Sequence, residues 1–216
     1  MEDNTRVNKS TEDNLLLCCV CFSPSDVCQL ELDTNTVNRK LKLSDNNRKV
    51  TLVEEYQPYP DHPERFDYWS QLLCRDGLTG RCYWEVERRG EVNISVSYRG
   101  IRRRGYRDDC VFGRNDQSWS LICSDDDGYF VYHNKRVTSI SSSSVSGRVA
   151  DISSSSVSGR VAVYVDCPAG SLSFYSVSSD SLIHLHTFNT TFTQTLYPGF
   201  GVWSRGSSVS LSPLQD

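Results

Sequence analysis

The chain has 216 residues, 38% of them hydrophobic, with 4 Trp, 11 Tyr and 8 Phe and a formal net charge of −4. That length suits one large domain with a substantial core, and the acidic balance excludes a general attraction to nucleic acid or to an anionic membrane surface. Its 9 cysteines are odd in number and irregularly spaced, which points to free thiols in a reducing, cytoplasmic compartment rather than to a disulfide framework.

Residues 1–27 read as a polar, partly disordered tail interrupted by one apolar run, Leu15–Phe22 (LLLCCVCF). A membrane span needs roughly twenty apolar residues. Glu12 and Asp13 stand directly before the run, where a signal peptide wants a basic leader. Cys18-x-x-Cys21 is half of a zinc-site spacing. No second pair follows it, since Cys28 stands alone and the nearest histidine is His62, so buried or incidental thiols are the plainer reading.

From Cys28 onward the pattern is strand, turn, strand. Ile94, Val96 and Tyr98 alternate with Asn93, Ser95 and Ser97. Val161, Val163 and Val165 alternate with Arg160, Ala162, Tyr164 and Asp166. The same period of two recurs at Leu172 and Phe174 and at Val209 and Leu211. Each such strand turns one face to a core and the other to water, which favours antiparallel sheets. Asp127-Gly128 and Pro168-Ala169-Gly170 read as hairpin turns. No stretch holds a 3.6-residue period across three turns, so the fold class is all-β, a sandwich or a barrel.

The arginines Arg99, Arg102, Arg103, Arg104 and Arg107 crowd the nine residues after Tyr98, with Tyr106 among them and Asp108 and Asp109 directly after. This is either a self-neutralised surface loop or, with Arg99, Arg102 and Arg103 leading, part of a protein-binding surface, where arginine is favoured. Phosphate gripping is a third reading. Trp84 sits mid-strand and reads as core. Trp119 divides between core and binding surface. Tyr129, Phe130 and Tyr132 follow it across the Asp-Gly turn, and alternation leaves one side of that strand exposed, an aromatic contact patch.

Asp125-Asp126-Asp127-Gly128 resembles a calcium loop, but Cys123 and Asn134 would occupy the first and twelfth positions, where the pattern needs carboxylates. His184 and His186 alternate along one strand face, which is an ordinary surface unless a third ligand joins them. There is no Gly-x-Ser-x-Gly elbow, P-loop or His-Glu-x-x-His. A thiol hydrolase using Cys74 or Cys82 with His62, or a metal hydrolase, is the remote enzymatic alternative. No cofactor and no metal site are expected. Asn-x-Ser/Thr sequons at Asn8, Asn93 and Asn189 matter only in a secreted chain.

Residues 140–150 (ISSSSVSGRVA) recur unchanged at 152–162. The second copy runs into Val163-Tyr164-Val165 and feeds a strand. The first copy would put Asp151 where Val163 belongs, so a Ser-rich loop over 139–158 is expected, lengthened by a local duplication and bordering the ligand-facing surface.

Several of these segments resemble one family in order. Leu30 to Ser44 (LELDTNTVNRKLKLS) looks like the PRY segment, with Thr34 where proline is usual. Tyr83-Trp84-Glu85-Val86-Glu87 matches the Trp-Glu-Val-Glu motif of SPRY domains. Val165-Asp166 through Tyr175 resembles the Leu-Asp-Tyr-Glu motif and its following strand, with Cys167-Pro168 replacing Tyr-Glu. Pro63 to Asp67, Asn115 to Trp119 and Leu196 to Gly201 match as well. The chain is thus identified as resembling the PRY-SPRY (B30.2) family, in particular its fish versions in tripartite-motif ubiquitin ligases, NOD-like receptors and stonustoxin-like proteins. The resemblance implies a two-layer antiparallel β-sandwich of concanavalin-like jelly-roll type, with a PRY segment over 28–57 and a SPRY segment over 58–213. It implies a non-catalytic module that grips a protein partner through loops at one end, here Gln57–Tyr68, Arg99–Asp109, Ser124–Tyr132 and Thr138–Ser158. The expected parent is an innate-immune or ubiquitin-ligase protein, and the alternative is a secreted stonustoxin-like pore-forming protein.

Overall fold

A computed structural model describes residues 23–140, 159–178 and 181–212, and the regular structure there is almost wholly strand. In chain order the strands are β1 Leu41–Ser44, β2 Lys49–Leu52, β3 Gln71–Leu73, β4 Arg81–Arg89, β5 Val92–Tyr98, β6 Ser118–Ser124, β7 Gly128–His133, β8 Arg136–Ile140, β9 Arg160–Asp166, β10 Ser171–Ser178, β11 Ser181–Asn189, β12 Leu196–Val202 and β13 Ser208–Leu211. They pair antiparallel into a seven-stranded sheet, β1-β2-β13-β4-β9-β10-β11, and a six-stranded sheet, β3-β12-β5-β6-β7-β8. The expected two-layer sandwich is what forms.

Alternation builds the core between the layers. Trp84 and Val86 of β4, Val161, Val163 and Val165 of β9, and Leu172 and Phe174 of β10 pack with Val92, Ile94 and Val96 of β5, Leu121 of β6 and Phe200 of β12, all at 2% exposure or less. Burying each such side chain contributes about 1.5–3 kcal/mol. The end of the second copy of the repeat feeds β9 as expected, while 141–158, with the first copy beyond Ile140 and the start of the second, lies outside the described residues.

One strand departs from the two-sided expectation. β5 is buried on both faces, because the segment 99–117 crosses the outer face of the six-stranded sheet as a strap. The outward residues beneath it are small. Ser95 and Ser120, both fully buried, share a hydrogen bond of 2.7 Å between their hydroxyls. Gly113, at φ +79°, lies so close that an added Cβ would sit 2.6 Å from Cβ of Tyr132 and 2.9 Å from Cβ of Ser120. Phe112 completes a second small core with Phe66, Leu73 and Ile101, its ring 5.7 Å from Phe66.

Two expectations are corrected here. Cys28 and Cys82 are joined by a disulfide across a sequence separation of 54, their Cα atoms 5.5 Å apart, so free thiols do not describe this pair. The pairing follows from local structure: Cys28 donates its backbone N–H to Tyr83 and so runs beside the start of β4. His184 and His186 do not share a face. A register shift between Phe174 and Tyr175 bulges β11, so His184 stands opposite Tyr175 and His186 opposite Phe174. His184 instead bonds the Thr187 hydroxyl at 2.7 Å, and His186 lies edge-on to Phe188.

Candidate functional site

The part of the outer face that the strap leaves open carries an arc of apolar side chains. The register runs Gly201, Asn93, Ile122, Phe130, Ser139 across β12, β5, β6, β7 and β8. Ile122 and Phe130 are half-buried on this face because their neighbours Leu121, Cys123, Tyr129 and Val131 point into the core. Val137, opposite Tyr132 on the edge strand, is 52% exposed.

At its other end the arc continues in rings. The Trp203 indole lies over Gly201, where a Cβ would meet it at 2.7 Å, and its N–H donates to Asn93 Oδ1 at 2.7 Å. Trp69 stands edge-on to Trp203 at 5.8 Å, Tyr68 edge-on to Trp69 at 5.2 Å, and Tyr106 against Tyr68 at 6.2 Å. Tyr68 and Tyr106 are 60% and 67% exposed. The indole N–H of Trp69 is buried and has no hydrogen-bond partner among the described residues. Large aromatic rings on a surface are what partner proteins most often bury.

Arginines hold the strap that walls this arc. Arg99 donates to Glu64 Oε1 at 2.9 Å and to Asp33 at 2.7 Å. That pairing holds the Glu64 carboxyl below the usual carboxylate range. Arg103 donates to the carbonyls of Glu64, Ile101 and Arg99. Its guanidinium lies 4.7 Å from the centre of the Phe66 ring, and burial pushes its pKa down to about 10. Arg102 is exposed and paired with Asp109 at 2.8 Å.

The seven residues expected to bind a partner therefore divide. Phe130 and Tyr132 reach the outer face, and Arg102 is exposed. Arg99 and Arg103 anchor the strap. Trp119 and Tyr129 are core, at 3% and 6% exposure, because both occupy inward positions. Trp119 stacks on His133 at 4.6 Å and meets Tyr98 and Phe192 edge-on. Trp69, Trp203 and Ile122 were missed. The available signal was Gly201 two residues before Trp203, a small residue that leaves room for an indole.

The four expected loops do not form one cluster. Asp67 N–H bonds Arg103 O and Glu64 pairs with Arg99, which joins Gln57–Tyr68 to Arg99–Asp109. The Ser124–Gly128 hairpin lies at the other end of β5: Asp125 pairs with Arg88 and accepts the Gly90 N–H. Gly159, within the second copy of the repeat, accepts the Arg88 N–H at that same end.

The thiol-hydrolase alternative meets two obstacles. Cys82 is in the disulfide, and burial raises the Cys74 thiol far above its ordinary range. Among the described residues no cluster of His, Cys, Asp or Glu is arranged to hold a metal. The Asp125–Asp127 turn is a plain hairpin.

A two-layer antiparallel sandwich with a strapped outer face that displays aromatic side chains defines a β-sandwich scaffold of the SPRY class. The chain belongs to the PRY-SPRY (B30.2) family: the SPRY-associated domain (PRY) matches residues 30–78 and the SPRY domain residues 81–213. Among its relatives, the stonustoxin subunit beta of Synanceia horrida is 38% identical over 173 residues, 80% of this chain and 23% of that protein. Tripartite motif-containing protein 16 of Mus musculus is 31% identical over 191 residues, 87% of this chain and 32% of that protein. The chain thus spans a quarter to a third of the length of these relatives. Among solved structures, stonustoxin superposes with a TM-score of 0.75 at 35% identity, covering 87% of this chain and 29% of that one. The TRIM65 PSpry domain superposes at 0.72 and 26% identity, covering 88% and 92%.

Proposed function

We propose that this domain is a non-catalytic protein-recognition module whose contact surface is the outer face of the six-stranded sheet. The observation that carries the reading is the arc that runs from Phe130 and Ile122 across Asn93 to Trp203, Trp69, Tyr68 and Tyr106, on a face the second sheet does not cover. Such rings lose little entropy on binding and bury much area. A tripartite-motif-like parent, a ubiquitin ligase or innate-immune protein in the cytoplasm, is the reading we favour.

The test is affinity capture followed by mass spectrometry, comparing the wild-type chain with folded Trp203→Ala and Phe130→Ala variants. A protein retained by wild type and lost from both variants supports the surface. Identical retention by all three sinks it.

A secreted, stonustoxin-like parent is the second reading, and the Cys28–Cys82 disulfide is the observation that favours it. Of the described sequons, Asn93 is buried under Trp203 while Asn189 is exposed at the end of β11. Differential alkylation of the protein from its native source separates the two. A blocked Cys28–Cys82 pair and a glycan at Asn189 support secretion, and reactive thiols at both positions with no glycan support the cytoplasm.

A further inference from the structure

Beside the arc, on the far side of Asp67, lies a cavity of about 340 Å³. Its walls come from the PRY-side turn carrying Arg39, the Tyr56–Asp67 loop and Arg104 of the strap. Nothing in the arc explains this cavity, and its chemistry is different. Three arginines, Arg39, Arg65 and Arg104, line it together with two carboxylate residues, Asp61 and Asp67, which leaves the positive side in excess by one charge.

The three arginines are held unequally. Arg65 is 7% exposed, and its guanidinium donates only to the carbonyls of Pro60, Thr34 and Val37. It also lies 5.2 Å from the centre of the Tyr59 ring and makes no direct ion pair among the described residues, Asp61 and Asp33 acting on it only from a distance. Burial, and after it the repulsion of Arg39, lower its pKa against the smaller opposing pull of Tyr59, Asp61 and Asp33. Arg39 is paired at 2.6 Å with Asp61, whose side chain is 99% exposed. Such a pair is screened by solvent and easily exchanged for another anion. Arg104 is exposed, and among the described residues its guanidinium makes no hydrogen bond or ion pair. His62 accepts the Glu64 N–H through Nδ1, which makes its Nε2 a donor. At the mouth Tyr56 is 70% exposed, with Lys40 Nζ 6.0 Å from its ring centre.

We propose that this cavity is an anion subsite that takes one carboxylate or phosphate group presented by a partner peptide. Forked guanidinium donors suit both oxyanions. An anion there would meet the unpaired Arg104, displace the loosely held Asp61 from Arg39, and add negative charge beside the buried Arg65. Its position next to Tyr68 and Tyr106 lets one partner use the arc and the subsite together. The proposal therefore rests on the recognition reading, but its test does not use the arc.

The experiment follows the arginine Nε–Hε signals of the isotopically labelled full chain in solution. Four probes are titrated: acetyl-Ala-Ala-phosphotyrosine-Ala-Ala-amide, the same peptide with Glu, the same peptide with Tyr, and inorganic phosphate. Saturable shifts at Arg39, Arg65 and Arg104 are expected with the anionic peptides and not with the neutral one. Arg104→Ala should weaken that binding at least tenfold, and Arg75→Ala, which removes an exposed arginine outside both the cavity and the arc, should leave it within twofold. Equal affinity for inorganic phosphate keeps the anion site and assigns it to a free ion rather than a peptide. No saturable shift with any probe, or shifts that survive both Arg104→Ala and Arg39→Ala, overturns the proposal. The capture assay on Trp203→Ala is read separately, so a failure here leaves the arc standing.

Discussion

Trp119 and Trp203 belong to opposite faces of the same six-stranded sheet. Trp119 is sandwiched by His133, Tyr98 and Phe192 inside the core. Trp203 lies over Gly201 on the outside, with Trp69 at its edge and Asn93 holding its N–H. Both are ringed by aromatic side chains, yet one cluster is sealed between two sheets and the other ends in Tyr68 and Tyr106, open to solvent. Residue type does not separate a structural cluster from a recognition surface here. The face of the strand does.

The largest expected effect sharpens that contrast. Trp119→Ala removes a fully packed ring from the core and should lower the unfolding free energy by about 3–5 kcal/mol, measured by denaturant titration. Any loss of partner binding should then track the unfolded fraction. A Trp119→Ala protein that keeps wild-type stability would place the ring on the surface after all.

Next comes the staple between the start of the described chain and β4. Closing a loop of this length stabilises a fold by roughly 2–4 kcal/mol. Cys82→Ser, or reduction, should cost about that much in denaturant unfolding, while the arc on the other sheet keeps its binding. No change in stability on reduction would mean that the bond adds nothing to the fold.

The strap's dependence on charge gives a smaller effect with a definite sign. Arg99 holds the Glu64 carboxyl below its unfolded range. This contribution is complete above the ordinary carboxylate pKa and is lost as pH falls through the lowered folded value. Glu64 is partly exposed, so the effect is modest. The melting temperature should fall at acid pH more steeply in wild type than in Glu64→Gln, and parallel pH profiles would remove this pair from the account.

Much of this was legible from period-two alternation. Trp84, Val161, Val163 and Val165 were assigned to the core and are there. The same alternation places Trp119 with Leu121 and Cys123 on the inward face, although the sequence reading left it divided. The strap was harder to read, because its path depends on Phe112 finding Phe66 and Leu73 across dozens of intervening residues. Ser95, Ser97, Ser118 and Ser120 were the visible trace: an outer row of small side chains fits under another segment, whereas a wet face would carry charge. The β11 bulge left no comparable mark, since it arises from pairing with β10 rather than from the residues around His184. The arc was only half legible, since Phe130 and Tyr132 follow from alternation, whereas Trp69 and Trp203 meet only after the chain has folded.

The smallest effect on stability falls where the effect on binding should be greatest. Tyr106 touches Tyr68 and is otherwise open to solvent, so Tyr106→Ala should change unfolding free energy by less than about 0.5 kcal/mol. If the arc is the contact surface, that same ring becomes buried only when a partner arrives, and its loss should weaken capture at least tenfold, the scale of a modest hot spot at about 1.4 kcal/mol. Trp119→Ala should do the reverse, costing stability while leaving the affinity of the folded fraction unchanged. A Tyr106→Ala variant that captures partners as well as wild type would confine the surface to the Phe130–Trp203 end of the arc, because the Tyr106 ring is the arc's exposed far end.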